Sequence, residues 1–147
     1  MGTDMLMKET SVKRVVDNWF AKLDVHASVE ELLPMLTTEG LEMRFPEGTL
    51  HSTDEFMKWY ETVTHRFFDE VHTMKELHIH VSSDHADVQL VVNWQAHIWN
   101  PPTPKSSWLG FDAAQRWVVK PAPGSQNLVI ATYIVDSLTP MPGSARL

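Results

Sequence analysis

His72 and Asp24 stand out as candidates for general acid–base chemistry. His72 opens a strand-like stretch, Val71-His72-Thr73-Met74, and Asp24 closes a helix-like one. Imidazole titrates nearest neutral pH, so it can both take and return a proton. A carboxylate acts as a base when burial raises its pKa, and otherwise orients a neighbouring imidazole. The bland readings are local backbone bonding for Asp24, near His26-Ala27-Ser28, and a buried, hydrogen-bonded structural role for His72. Tyr60 and Tyr133 each offer a phenol as donor to a ligand carbonyl, with core packing as the alternative. His78 and His80 lie two apart on one side of a strand. With His85 or His97 they have the residue types of a metal site, but their expected outward side makes a solvated pair the better reading, and no metal is expected. Asp112 and Arg116 share a strand face and read as solvated.

The elements that must position these groups follow from hydrophobic periodicity. Val12, Val15, Val16, Trp19, Phe20 and Leu23 recur at three- and four-residue steps, which predicts a helix over about 9–24. Ser28 and Glu31 have capping-box spacing and open a second helix over 29–38, with Gly40 past its end and Pro34 a cause of kinking. Leu41, Met43 and Phe45 alternate as a strand, Pro46-Glu47-Gly48 turns the chain, and 49–51 forms a short partner. Ser52 or Thr53 caps a third helix over 54–67 that carries Phe56, Trp59, Tyr60, Val63 and Phe67.

The second half reads as long strands over 71–81, 86–98, 107–119 and 127–138. Ala86 to Ile98 alternates with one exception, Val91. In 71–81 the parity changes from even (His72, Met74) to odd (Leu77, Ile79, Val81). One extra residue near Lys75-Glu76, a β-bulge, puts all five on the buried face.

Composition limits the rest. The 147 residues make one domain, able to bury roughly 70% of its unfolded surface. There is no cysteine, which excludes disulfides, a thiol nucleophile and thiolate metal sites, and a cytoplasmic setting is expected. Twelve basic against 19 acidic residues give a net charge of −7, which argues against nucleic acid and against anionic membranes. No apolar run spans a bilayer, and MGTDMLMKE has charges too early for a signal peptide. No Gly-rich phosphate cradle and no G-x-S-x-G elbow occurs.

The order helix, helix, hairpin, helix and four long strands is that of an α+β fold. With Trp19-Phe20…Leu23-Asp24, the segment Glu39 to Gly48, Phe56…Trp59-Tyr60 and Val71-His72-Thr73-Met74, it resembles the nuclear transport factor 2-like, SnoaL-like superfamily over roughly residues 9–138. That resemblance implies a curved antiparallel sheet wrapped around three N-terminal helices, a cone-shaped cystatin-like barrel. Residues 1–8 are then a flexible N-terminus and 139–147 a flexible tail. Scytalone dehydratases of this superfamily use an aspartate ending the first helix and two histidines on the sheet. Asp24 and His72 occupy matching places. His97 is at the right distance for the second histidine, but the strand alternation turns it outward, and Leu23 replaces a tyrosine. Ketosteroid isomerases place a base aspartate where this chain has Phe45, before Pro46, so their mechanism is not expected.

The expected protein is a cofactor-free lyase, isomerase or cyclase acting on an apolar or aromatic, oxygenated small molecule. His72 is the acid/base, Asp24 its partner and Tyr60 a donor. Trp19, Met43, Phe45, Trp59, Met74, Trp94, Phe111 and Tyr133 form the ligand walls. The alternative is a non-catalytic ligand-binding or dimerising module. An outward face of His, Gln and Asn, with Trp99 and Val91, is the expected homodimer surface.

Overall fold

A computed structural model describes residues 7–147. Residues 1–6 of the expected flexible N-terminal stretch lie outside the described residues, and Met7 is buried in the core.

Helix α1 (Glu9–Asp24) buries Val12, Val16, Trp19 and Phe20 as a single stripe. Glu9 in its first turn and Lys22 in its last complement the helix dipole. Pro34 divides the second helical stretch: α2 covers only Val29–Leu32, and a tighter 3-10 turn follows over Leu33–Met35. The expected capping box does not form, since the Ser28 side chain makes no cap hydrogen bond. Helix α3 (Thr53–Arg66) is well capped. The Ser52 hydroxyl accepts the Glu55 N–H at 3.1 Å, and the Glu55 carboxylate accepts the His51 N–H at 2.6 Å.

The strands are β1 (Glu42–Phe45), β2 (Gly48–Leu50), β3 (Phe67–Val81), β4 (Ala86–Ile98), β5 (Ser107–Pro121) and β6 (Leu128–Pro140). They form one curved six-stranded sheet in the order β2-β1-β6-β5-β4-β3, which is not closed into a barrel. The sheet is mixed rather than wholly antiparallel, because β1 pairs with β6 in parallel through Met43 and Tyr133. The class is α+β, as expected.

Two irregularities in β3 decide which side chains face inward. The register against β4 slips between Met74 and Glu76, where the parity change required a bulge. It slips again between Phe68 and Val71, where Asp69 has φ +53°. Phe67 is buried before this second bulge, and Glu70 and His72 are part-buried after it, so the extra residue turns an acid and an imidazole toward the core. Strand β4 keeps regular alternation and an unbroken register with β5.

The core lies between α1, α3 and the inner sheet face. Trp19, Met43, Phe56 and Trp117 are almost wholly buried there, each worth on the order of 1.5–3 kcal/mol of apolar transfer. Residues 141–145, within the expected tail, bond back to β5. Met141 N–H donates to the Gly110 carbonyl (2.8 Å) and Ala145 N–H to that of Trp108 (2.9 Å). On the outer face Phe68, Val71 and Trp99 are exposed. Among the described residues no helix is long and apolar enough to cross a membrane.

Candidate active site

The end of α1 and the start of β3 meet through two imidazole–carboxylate pairs. Asp24 Oδ1 lies 2.6 Å from His72 Nδ1, and Asp24 Oδ2 accepts the His72 backbone N–H at 3.2 Å. An ionised carboxylate can only accept, so the ring proton belongs on Nδ1 and the lone pair on Nε2. Two residues along each element a second pair repeats the contact with the roles exchanged. His26, which has φ +49° in the loop after α1, contacts Glu70 Oε2 through its Nε2. Glu70 Oε1 accepts the Trp94 indole N–H at 3.0 Å. Phe20 stacks on the His72 ring with centroids 4.9 Å apart.

A cavity of about 110 Å³ adjoins both pairs, far more than one water occupies. Glu70 and His72 line it, while Asp24 and His26 stand behind them. Phe45 and Trp59, stacked at 4.0 Å, make one wall. Phe67 and Trp94, edge to face at 5.2 Å, make another. Val92, Ala113, Val135 and Leu138 add further apolar surface, with Gln115 and Tyr133 among the polar groups. The result is a mostly apolar hollow with an imidazole and a carboxylate side chain in its lining, which suits proton transfer on an otherwise greasy molecule.

The phenols differ from the expectation. The Tyr60 hydroxyl donates to the Ala27 carbonyl at 2.5 Å, so it presents a lone pair to the cavity rather than a free proton. Burial, then the charges of Glu70 and Glu31, push its pKa up to about 12. Burial holds the Tyr133 phenol still further above its ordinary value.

Of the expected walls, Phe45, Trp59, Trp94 and Tyr133 line the cavity. Trp19, Met43, Met74 and Phe111 do not. Trp19, on α1, and Met43 are sealed in the core between the helices and the sheet, and Met74 packs against that core. Phe111 joins a separate buried cluster with Phe67, Ala96, Ile98 and Leu109. His97 points outward and stacks on Phe68, because β4 carries no bulge that would turn it in. Asp112 and Arg116 form ion pairs with Lys75 (2.9 Å) and Asp136 (2.8 Å) on the exposed side. His78 and His80 are exposed. Among the described residues no group of three or more His, Asp or Glu gathers as for a metal.

No family model matches the chain, and no curated protein matches it either. Solved structures do. The hexachlorocyclohexane dehydrochlorinase LinA-type3 of Novosphingobium barchaimii LL02 superposes with a TM-score of 0.75 at 14% identity, covering 98% of this chain and 97% of that one. A scytalone dehydratase candidate from Novosphingobium aromaticivorans DSM 12444 gives 0.72 at 18% identity, covering 98% and 92%. A dehydratase candidate of the NTF2-like family from Streptomyces avermitilis gives 0.71 at 14% identity, covering 89% and 94%.

The chain has the NTF2-like, SnoaL-like fold. Identities this low speak for architecture and leave chemistry to the site. Within the NTF2-like sheet, periodicity brought out His72 but passed over its neighbours. Gln115 shares the parity of Phe111 and Trp117, so its inward position was readable, whereas Glu70 lies just before the alternating stretch that marked β3. His26 had no such signal, because its placement depends on a single left-handed backbone angle.

Proposed function

We propose that this protein is a small-molecule lyase in which His72 removes a proton from carbon. The observation that carries the reading is an imidazole locked to a carboxylate through Nδ1 while the ring lines an apolar cavity. Asp24 keeps the base in one tautomer and stabilises the imidazolium that forms, and it does not take the proton itself. The walls suit an apolar or aromatic substrate, and an adjacent carbonyl makes the abstracted proton acidic enough for an imidazole. The resulting enolate then expels a leaving group from the next carbon. Isomerisation and ring closure share that first step. This chemistry needs no group beyond the chain's own side chains. Three of the similar structures carry the names of a dehydrochlorinase and two dehydratase candidates, and those names describe eliminations.

The test is a thermal-shift panel of hydroxylated aromatics, terpenoids and steroids, followed by turnover of the binders. A ligand of the folded state raises the melting temperature. His72→Ala is expected to keep the fold and the binders and to lose turnover. Binders that the wild type never transforms would make the protein a ligand-binding module instead.

A further inference from the structure

Aromatic rings make up much of the cavity wall: Phe45, Trp59, Tyr60, Phe67, Trp94 and Tyr133 all line it. The fixed charges among its described lining residues are both negative, Glu70 within and Glu47 at the exposed rim, and neither lysine nor arginine lines it. Glu47 is tied to the wall, since its Oε2 accepts the Trp59 indole N–H at 3.4 Å. A ring face is negative over its centre, so the rings and the carboxylates favour the same sign of guest.

Glu70 is the inner charge. Its side chain is 12% exposed, with Oε1 held by the Trp94 N–H at 3.0 Å and Oε2 met by His26. An ionised carboxylate has about four lone-pair sites, so these two partners fix its orientation and leave it able to accept further bonds. His26 does not line the cavity, so its contact with the acid comes from behind. The negative charge is felt at the opposite wall, where Glu70 follows burial as the largest cause that raises the Tyr60 phenol. The Tyr60 hydroxyl proton is committed to the Ala27 carbonyl at 2.5 Å, which leaves its oxygen an acceptor. Two neighbouring groups in the lining therefore offer lone pairs to a guest, and one of them is an anion. Charge buried beside apolar space costs free energy, and a cation in the hollow offsets that cost from the side His26 does not reach. The net charge of −7 draws cations toward the protein as a whole.

We propose that the cavity binds a small organic cation, an arylalkyl amine whose ammonium group bonds to Glu70 and the Tyr60 oxygen while its apolar body lies among Phe45, Trp59 and Phe67. A primary ammonium carries three N–H donors, which matches acceptors that have no proton to give. Such binding is independent of proton abstraction by His72, and it adds a cationic head to the apolar class of ligand that the walls favour.

The test uses three ligands that share a phenethyl body and differ in the head group: phenethylamine, a cation at neutral pH, phenethyl alcohol, which is neutral, and hydrocinnamate, an anion. Dissociation constants are measured by calorimetry at neutral pH on wild type, Glu70→Gln and Trp59→Leu, with melting curves to show that each is folded. In wild type the amine is expected to bind about tenfold tighter than the alcohol, with the carboxylate weakest. Glu70→Gln keeps an oxygen for the Trp94 N–H and should bring amine and alcohol within about threefold of each other, while the affinity for the alcohol holds. Trp59→Leu keeps an apolar wall without a ring face and should weaken the amine more than the alcohol, which carries the test if Glu70→Gln does not fold. An alcohol or carboxylate that wild type binds as tightly as the amine overturns the proposal. So does an amine that shows no binding at about 10 mM, and so does either variant if it folds and keeps the wild-type preference for the amine.

Discussion

One carboxylate, Asp24, grips His72 twice. Oδ1 meets the ring at 2.6 Å and Oδ2 accepts the backbone N–H at 3.2 Å. The contact joins the last residue of α1 to the sixth residue of β3, so the helix end fixes how the imidazole is turned.

Asp24→Asn should therefore separate orientation from folding. An amide of the same shape still accepts the backbone N–H, but it presents a donor or a weaker acceptor to Nδ1 and favours the wrong tautomer. Turnover is expected to fall by about 10²–10⁴, with a stability loss below about 3 kcal/mol. Steady-state rates beside thermal melts check this. A large drop in melting temperature with unchanged turnover would make the pair structural.

The two tyrosines predict an alkaline signature. Burial, helped by the Glu70 and Glu31 charges, raises Tyr60 from 10.0 to about 12, and burial raises Tyr133 above that. Both phenols are held protonated in the folded state. The stability they supply is fully present below pH 10 and is lost as pH rises through about 12. Tyrosinate absorbance of the native protein should show no step near pH 10, while the unfolded chain should show both groups titrating there. In Tyr60→Phe alkaline unfolding should begin closer to the point where Tyr133 ionises. A native step near pH 10 would contradict the burial of both rings.

Much of the fold was legible because the informative signal is local. The alternation from Ala86 to Ile98 gives β4 to the residue, and the parity change in β3 locates the bulge at Met74/Glu76. The parallel pairing of β1 with β6 joins residues about ninety positions apart, and no local pattern encodes it. For the site, one imidazole and its acid were readable from residue type and helix end. The Glu70–His26 pair was hidden because the bulge at Asp69 lies outside the alternating stretch that marked the strand. Periodicity also tells inward from outward but not core from cavity. Trp19 and Trp59 both sit on inward helix faces, yet Trp19 is packed against Phe56 of α3 and Tyr133 of β6 while Trp59 borders empty space.

Gly110 is a packing constraint. A Cβ there would lie 2.5 Å from the Trp108 ring and 2.8 Å from Met141 Sδ. The indole is tethered by its N–H to Gln95 Oε1 at 3.3 Å, and the Gly110 N–H donates to Ser144 Oγ at 2.9 Å. Gly110→Ala is expected to cost about 1–3 kcal/mol and to loosen residues 141–145 from β5. Denaturant melts and amide exchange in that segment would measure both. Unchanged stability would mean that Trp108 and Met141 move aside freely.

Trp94 links the wall to the acid, and its two roles can be pulled apart. Its ring packs edge-on against Phe67 at 5.2 Å and parallel to Phe111 at 6.1 Å, and its N–H alone reaches Glu70. Trp94→Phe keeps an aromatic wall but frees Glu70 Oε1. If the indole only shapes the cavity, binding of apolar ligands should weaken while stability holds. If it also anchors the carboxylate, the lost hydrogen bond should cost about 1.5–3 kcal/mol of stability, read in denaturant melts. Unchanged stability with weakened ligand binding would assign Trp94 to the wall alone and leave Glu70 held by His26.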